Sequence, residues 1–276
     1  MAISQHVGIV GGNGWLGGAL VRAAVSSKTV DPGQFTLSSR SGSRGGIADI
    51  AAHWTKDNAE LAERSDIVIL SVRPAQFGDV RIDLRNKLAV SVMAGVTCAA
   101  IAEQTNAKRI VRAIPNAAAA IGRSFTPWFA TADVTDSDKA VVQAFFAASG
   151  EAAEVPEESY INYCVGLTGS GAAFPALLVE AMVAEAVAQG LTREFGEKAA
   201  RSVVCDASQL FAGGTGNTAA IVKEMIDYRG TTAAALQAMI NHGFMEAVSA
   251  GLRAAAAKAA TIAHGQNADA QADKNT

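Results

Sequence analysis

A glycine-rich turn near the start of the chain restricts the possible folds more than any other feature. Residues 11–17 are Gly-Gly-Asn-Gly-Trp-Leu-Gly, directly after the apolar run Val-Gly-Ile-Val at residues 7–10. Small and apolar residues typical of a helix follow at 19–24. A strand, a tight glycine turn and a helix in this order form the fingerprint of a dinucleotide-binding domain.

Three glycines of this turn have separate expected roles. Gly12 is expected to let the chain turn sharply, and Gly14 to leave room for a pyrophosphate at the backbone. Gly17 is expected to let the helix pack closely on its strand. The unpaired N–H groups at the start of the helix would then bind the phosphates.

The end of the next predicted strand, at residues 35–40, indicates which dinucleotide is bound. Enzymes that use NAD carry an Asp or Glu here, which accepts hydrogen bonds from the ribose 2′-hydroxyl. This chain has Ser38, Ser39 and Arg40 instead, with Arg44 shortly after. Hydroxyl and guanidinium groups suit a 2′-phosphate, so the sequence predicts NADPH rather than NADH.

Apolar runs at residues 67–72, 88–93 and 109–114 are typical of central strands buried on both faces. Helical segments alternate with these runs, which predicts a doubly wound parallel sheet of the α/β class. Residues 125–132 are predicted as a last strand and 137–149 as a helix. Ligands bind at the carboxyl ends of such strands, so the following residues should line one rim: Gly12, Ser39, Arg73, Gly95 and Asn116.

The second half of the chain has a different pattern. From residue 157 onward the strand signal disappears, and alanine-rich helical stretches follow. We therefore predict a Rossmann domain at 1–155, an all-α domain at 156–263 and a disordered polar tail at 264–276. The longest apolar stretch, 172–191, contains Glu180 and Glu185, which favours a helix buried in protein over a membrane span.

Composition excludes several classes of function. The 276 residues carry a net charge of −3 with interspersed signs, and they contain no basic stripe of the kind that binds nucleic acid. The three cysteines are far apart and lack the spacing of a metal site, so we predict no bound metal and reduced thiols. No secretory signal is visible at the N-terminus, and we therefore predict a cytoplasmic protein.

Two clusters of glycine and hydroxyl residues interrupt the helices, at residues 166–171 and 228–232. Each precedes an apolar helical stretch and places small hydroxyl residues at its expected N-terminus. Such a position can cap the helix or bind an anion. The pair of clusters, in a domain that follows a nucleotide-binding domain, indicates a substrate site.

Together these stretches resemble the pyrroline-5-carboxylate reductase family, which reduces a cyclic imino acid to proline with NADPH. The matching stretches follow the order of the family along nearly the whole chain: residues 8–18, 58, 66–74, 91–97, 112–116, 166–173 and 230–236. The resemblance implies a Rossmann domain and a helical domain that interleaves with a partner subunit. It thus implies an obligate homodimer, which can assemble further.

The resemblance also assigns site residues. It implies that the cofactor is held by Gly12, Asn13, Gly14, Trp15, Leu16, Ser39, Arg40, Asn58, Val72, Arg73, Pro74, Ala94, Gly95 and Val96. The Thr232 hydroxyl would bond the ring nitrogen, with Ser170 and Thr231 beside it as further catalytic candidates. Substrate binding is expected at Asn116, Gly169, Gly171, Arg229 and Gly230. A protonated cyclic imine is already electrophilic, so hydride transfer needs orientation and no catalytic histidine.

The sequence departs from the family at the substrate end. The family segment Ser-Pro-Gly-Gly-Thr-Thr is Asp-Tyr-Arg-Gly-Thr-Thr at residues 227–232, and the Asn-Thr-Pro of the family is Asn-Ala-Ala at 116–118. Ala172 and Phe174 replace a Pro and a Tyr, and Glu224 stands where Asn is common. Two interpretations stay open. Either Tyr228 and Arg229 pair with a different cyclic imine, or both turn to solvent and the usual substrate is kept.

Two other functions compete with this prediction. An NADP-dependent β-hydroxyacid dehydrogenase shares the layout of a Rossmann domain followed by helices, and it would need a lysine as general base. Lys198 and Lys223 are the candidates for that base. A protein that binds NADPH without catalysis is the third possibility, suggested by the altered turn before Thr231.

Overall fold

An eight-stranded sheet forms the centre of the computed structural model, which describes residues 2–211 and 217–272, with side chains as far as residue 262 in the last helix. The chain divides into two compact units. The first unit is Met1–Ser170 with Ala254–Thr276, and the second is Gly171–Arg253. The second, helical unit therefore begins at residue 171, whereas the composition of the sequence changes near residue 157.

The strand order identifies a doubly wound sheet. The strands are β1 Val7–Val10, β2 Phe35–Ser38, β3 His53–Thr55, β4 Ile67–Leu70, β5 Leu88–Ser91, β6 Arg109–Ala113, β7 Ser124–Ala130 and β8 Gly150–Glu154. They lie in the order β3-β2-β1-β4-β5-β6-β7-β8. The order reverses between β1 and β4, and such a reversal is where open α/β sheets bind ligands. The predicted α/β class is confirmed.

Two features of the sheet differ from the prediction. Strand β7 runs antiparallel to β6, because the connection between them is only a short 3-10 turn, Ala117–Ile121, and cannot form a crossover. Strands β3 and β8 were not predicted. Both are short and have few fully buried side chains, so neither shows the apolar run that marks a central strand.

Five helices belong wholly to the first unit: α1 Trp15–Ser26, α2 Asn58–Glu63, α3 Cys98–Thr105, α4 Asp136–Ala147 and α5 Glu158–Cys164. They cover both faces of the sheet and bury two apolar clusters. Ile9, Leu37 and Ile69 lie at the centre of one cluster, each almost fully buried. Burial of side chains of this size stabilises the fold by roughly 1.5–3 kcal/mol each.

The remaining helices are α6 Phe174–Ala188, α7 Arg193–Arg201, α8 Thr218–Asp227, α9 Thr231–Asn241 and α10 Phe244–Ala272. In the single chain, the helix α6 that was predicted to be buried is largely exposed, and of its residues only Val183 is buried. By length and composition alone, the stretch Glu158–Ala188 would suffice to cross a membrane.

The predicted disordered tail requires a correction. Helix α10 continues to Ala272, so residues 264–272 are helical, and residues 273–276 lie outside the described part of the chain. Five alanines among residues 260–272 follow an alanine-rich run, and alanine has the highest intrinsic helix propensity. The polar composition of this segment therefore did not prevent a helix.

Candidate functional site

The glycine turn between β1 and α1 forms a tight, exposed cradle. Gly11 takes the left-handed conformation with φ +83°, so the sharp bend lies at Gly11 and not at Gly12 as predicted. The N–H groups of Gly11 and Gly12 both donate to the carbonyl of Ser38, at 3.0 Å. This bond pair ties the turn to the end of β2.

Close approach explains the other glycines of the turn. A Cβ atom on Gly17 would lie 2.8 Å from the carbonyl oxygen of Gly11, so helix and turn touch there, as expected. A Cβ on Gly14 would lie 3.1 Å from the same oxygen. Helix α1 begins with Gly14 as its N-cap, and no side chain caps it. Its first N–H groups are therefore available to an anion.

A cleft of about 460 Å³ lies at the carboxyl ends of β1, β2 and β4, and we call it the cofactor cleft. Its volume is in the range of small-molecule sites. Seven of the predicted cofactor residues line it: Asn13, Gly14, Ser39, Arg40, Asn58, Val72 and Arg73. Ser38 and Ser41, on either side of the predicted pair Ser39 and Arg40, line it as well. Three further lining residues were not predicted from the sequence: Lys56, Ser71 and Gln76.

The other predicted cofactor residues do not line this cleft in the described part of the chain: Gly12, Trp15, Leu16, Pro74, Ala94, Gly95 and Val96. Trp15 is 62% exposed and lines a neighbouring cleft of about 700 Å³. Gly95 lies beneath α10, because a Cβ there would be 2.6 Å from the carbonyl oxygen of Ala259. Leu16 packs against the apolar core.

Hydroxyl groups organise the rim of the cofactor cleft. The Ser38 hydroxyl donates to Oδ1 of Asn58 at 2.8 Å, which ties the end of β2 to the start of α2. The Ser39 hydroxyl donates to the carbonyl of Ser43 at 2.8 Å and is buried. Its proton thus holds the loop after β2, and only its oxygen lone pairs remain for a ligand.

The residues of the cleft fit a dinucleotide. Three cationic side chains line it, Arg40, Lys56 and Arg73, against one carboxylate, Asp79. The backbone of the glycine turn leaves the space that side chains would fill. Positive charge and free backbone donors at a helix start are what phosphate groups require. Among the described residues, no group of three or more His, Cys, Asp or Glu side chains is placed to hold a metal.

Asn116 follows β6 and uses both ends of its side-chain amide. Its Oδ1 accepts from the N–H of Ala118 at 2.9 Å, and its Nδ2 donates to the carbonyl of Thr168 at 3.1 Å. The structure brings the predicted substrate residue Gly169 to the same place, since a Cβ there would be 3.3 Å from Cγ2 of Ile114. Asn116 therefore positions the segment around Thr168, and its amide is already occupied.

A buried ion pair lies nearby and was not predicted. Arg112 on β6 is 1% exposed, and its guanidinium donates to the carboxylate of Glu158 at 2.7 Å and to the Asn162 side chain at 3.0 Å. The same Glu158 carboxylate accepts from the N–H of Cys98 at 2.8 Å. Burial, together with the Glu158 charge, raises the pKa of Cys98 to about 12. An ion pair between β6 and α5 leaves no pattern in the sequence that could have shown it.

The first glycine and hydroxyl cluster is not a helix start. Residues Val165–Gly169 form a π-helical turn that continues α5, and Ser170–Ala173 form a 3-10 turn that leads to α6. The N–H of Ser170 donates to the carbonyls of this π turn. Ser170 therefore does not offer the free N-terminal donors that the sequence predicted, because glycine and threonine were accommodated within a widened helix. Its side chain is exposed.

The second cluster does begin a helix. Gly230 is the N-cap of α9, and no side chain caps that helix. Thr231 and Thr232 occupy its first turn, and both are exposed. Arg229 has φ +57°, a conformation that glycine adopts freely, and this is the position where the family carries glycine. Tyr228 is 86% exposed.

Lys223, Lys198 and the only histidine among the described residues of the second unit, His242, have local surroundings. Lys223 forms an ion pair with Asp227, one turn further along α8. Nδ1 of His242 is 2.8 Å from the carbonyl oxygen of Ala238 in its own helix. Lys198 is exposed on α7.

The fold and the cofactor cleft together define a dinucleotide-binding oxidoreductase in which a Rossmann sheet is joined to a separate helical unit. The family model for pyrroline-5-carboxylate reductase dimerisation matches residues 158–262. The pyrroline-5-carboxylate reductase of Vibrio alginolyticus is 32% identical, over 76% of this chain and 80% of its own length. The chain belongs to the pyrroline-5-carboxylate reductase family, whose members are oxidoreductases that act on an imine.

Solved structures agree with this assignment. The pyrroline-5-carboxylate reductase of Coxiella burnetii has a TM-score of 0.83 and 25% identity, covering 94% of this chain and 99% of its own. The pyrroline carboxylate reductase of Plasmodium falciparum, solved with NADP bound, has the same fold, with a TM-score of 0.80, 21% identity and coverage of 95% and 100%. A second family model, described as NADP oxidoreductase coenzyme F420-dependent, matches residues 6–95. The chain thus belongs to an NADP-binding family, and its dimerisation domain indicates a homo-oligomer.

Proposed function

We propose that this protein reduces the C=N bond of pyrroline-5-carboxylate, or of a closely related cyclic imino acid, with NADPH. The observation that carries the proposal is similarity over nearly the whole length to reductases of this name, combined with an intact cofactor cleft. The nicotinamide supplies a hydride to the imine carbon. The ring nitrogen is already protonated, so the product is the cyclic amine.

The preference for NADPH over NADH is part of the proposal. It is supported by the end of β2, where Ser39 and Arg40 line the cleft and no carboxylate follows the strand. A carboxylate there would repel a 2′-phosphate, whereas a guanidinium can form charge-assisted hydrogen bonds to it.

The substrate residues are assigned by resemblance. We assign the Thr232 hydroxyl to the ring nitrogen of the substrate. The first N–H groups of α9, together with Gly230, are assigned to its carboxylate, since an uncapped helix start attracts an anion. Thr231, Gly169, Gly171 and Ser170 complete the proposed substrate surroundings. Asn116 acts by holding Thr168 and not by direct contact.

The proposed assembly is a homodimer in which the helical domains of the two subunits interleave. Such dimers can associate further into a higher homo-oligomer. Support comes from the second unit, in which Val183, Ala200 and Ala233 are the buried apolar side chains among the described residues. So small a core does not stabilise a unit of this size. We assign its exposed apolar surface to a partner subunit and not to a membrane, because α6 carries charged residues and Glu180 forms an ion pair with Arg193. A cytoplasmic location is a separate part of the proposal.

The test is a reductase assay of the purified protein with NADPH and pyrroline-5-carboxylate. We expect NADPH oxidation with proline as the product, and a Thr232→Ala variant with kcat/KM lower by about a hundredfold and unchanged NADPH binding. A Thr218→Ala variant is the matched control, because Thr218 lies in the first turn of α8 as Thr232 lies in the first turn of α9. It should keep the activity.

Three outcomes would contradict the proposal. Turnover of hydroxy acids with NADP but not of cyclic imines would favour a β-hydroxyacid dehydrogenase, and tight NADPH binding without turnover would favour a non-catalytic protein. Full activity of Thr232→Ala would remove that residue from the mechanism.

The choice of substrate ring is tested at Arg229. An Arg229→Gly variant restores the glycine of the family. A changed ratio of kcat/KM between five-membered and six-membered cyclic imino acids would show that Arg229 selects the substrate. An unchanged ratio would show that it faces solvent.

A further inference from the structure

Lys56 reaches the cofactor cleft because of how β3 pairs with β2. The two strands are parallel, and Ser38, the last residue of β2, pairs with Thr55, the last residue of β3. The residues that follow therefore leave the sheet side by side at the same edge. Arg40 lies in one of these segments and Lys56 in the other, and both line the cofactor cleft.

The loop after β2 packs directly on the Lys56 side chain. Gly42 in this loop has φ +74°, and a Cβ atom on it would collide with Cε of Lys56 and lie 3.1 Å from Nζ. The N–H of Gly42 donates to the carbonyl of Ser39 at 3.1 Å, and the Ser39 hydroxyl donates to Ser43. The loop is thus closed by its own hydrogen bonds, with the lysine stem held against its glycine.

The acidic side chains closest in sequence to Lys56 are already engaged. Asp57 accepts from the N–H of Ala59 at 2.8 Å and caps α2. The Glu60 carboxylate forms hydrogen bonds with the side chains of Thr55 and His53. These hydrogen bonds lower the pKa of the carboxyl, and the one from Thr55 has the larger effect. Lys56 and Arg40 form no ion pair with any described residue. The cleft they line has three cations against the one carboxylate of Asp79, and this excess of positive charge favours a ligand with a compact double negative charge.

We propose that Lys56 and Arg40 together hold the 2′-phosphate of the adenosine ribose, which makes Lys56 a determinant of the preference for NADPH. This inference rests on the proposed function. Arg40 supplies a planar fork of donors, and Lys56 supplies a point charge from the end of the neighbouring strand β3, so two different cationic groups share the phosphate.

The experiment measures binding and does not depend on turnover. Calorimetric titration of the full chain with adenosine 2′,5′-bisphosphate and with 5′-AMP compares two ligands that differ by the 2′-phosphate. We expect the Lys56→Gln variant to bind the bisphosphate about tenfold more weakly than the wild type does, and to bind 5′-AMP with an affinity within about twofold of the wild type. Lys56→Arg should restore most of the affinity.

Lys108→Gln is the matched control. Lys108 is exposed and precedes β6, so it lies at the amino edge of the parallel strands, opposite the cleft. The variant removes the same charge and should bind both ligands as the wild type does.

The outcomes separate the two levels of the proposal. A wild-type protein that binds the two ligands equally would overturn the NADPH preference, and with it the role of Lys56. A wild type that prefers the bisphosphate, with Lys56→Gln unchanged or weakened equally for both ligands, would overturn the role of Lys56 alone.

Discussion

Cys98 illustrates how neighbours change the chemistry of one side chain. It is the first residue of α3, it is buried, and the Glu158 carboxylate bonds its N–H. Burial and this carboxylate both disfavour a thiolate, so the pKa of the thiol rises to about 12. Nucleophilic cysteines have lowered pKa values, and Cys98 is therefore a structural residue.

We predict that Cys98 resists alkylation in the folded protein. In a variant with Cys164→Ala and Cys205→Ala, iodoacetamide at pH 9 should react at least about a hundredfold more slowly than after unfolding in guanidinium, because little thiolate is present. Mass spectrometry of the modified chain measures the rates. Equal rates in the two states would contradict the raised pKa.

The same shift has a consequence for stability. The folded chain keeps this proton at a pH where the unfolded chain releases it. The contribution of Cys98 to the free energy of unfolding is therefore complete below the pKa of the unfolded chain, about 9, and is lost as the pH rises toward 12. Wild type should lose more stability in this window than Cys98→Ala does.

At the scale of single elements, the π-helical turn Val165–Gly169 is held by contacts with residues far away in the sequence. π turns are rare and occur mostly as single turns within helices. Here the Asn116 amide donates to the carbonyl of Thr168, and Gly169 packs against Ile114. The loop after β6 thus holds the turn, and the two ends of the Asn116 amide have different tasks.

Asn116→Asp tests this arrangement. Aspartate keeps the acceptor for the N–H of Ala118 but loses the donor to Thr168 and places a charge against its carbonyl. We expect the free energy of unfolding to fall by about 1–3 kcal/mol. Chemical denaturation at fixed protein concentration is the measurement.

Asn217→Asp is the control for this prediction. Asn217 caps α8 through the same type of bond, from the N–H of Ala219, and its amide nitrogen donates to no described residue. This variant should stay within about 0.5 kcal/mol of wild type, since Asp and Asn are equivalent caps. Similar losses of unfolding free energy in both variants would show that the hydrogen bond from Asn116 to Thr168 does not contribute to stability.

For the molecule as a whole, the imbalance between its two units is the main feature. The first unit buries two large apolar clusters beside its sheet. The second exposes large apolar side chains, among them Leu177, Leu210 and Met245. Exposed apolar surface of this extent marks an interaction site. The dimerisation model that matches residues 158–262 covers the same region.

We expect the protein in solution to have at least twice the 28.3 kDa mass of one chain. Leu177→Glu on α6, at a position 72% exposed in the single chain, should reduce the dimer fraction or make the protein aggregate, because a charge would enter an apolar interface. Light scattering after size-exclusion chromatography measures the mass.

Ile121→Glu provides the comparison, since Ile121 is 73% exposed but lies in the first unit. The Ile121→Glu variant should have the same mass in solution as the wild-type protein. A monomeric wild-type protein, or a Leu177→Glu variant with an unchanged mass, would contradict the assignment of this surface to a partner.

The central strands and the first helix could be predicted because their signals are local. The apolar runs of β1, β4, β5 and β6 and the glycines before α1 need no knowledge of their neighbours. Strand β3 could not be predicted, since three half-buried residues carry no pattern and their pairing with β2 is a long-range contact. Missing β3 also meant missing Lys56.

The sequence by itself determined the central strands, the first helix, the glycine turn between them and the motifs that resemble one family, because each of these signals lies in residues close together in the chain. Only the tertiary structure decided that Gly11 makes the bend, that Asn116 and Arg112 hold neighbouring segments, and that Lys56 lines the same cleft as Arg40. The physical reason is that hydrogen bonds, ion pairs and strand register join residues far apart in sequence, whose partners are chosen only when the chain packs.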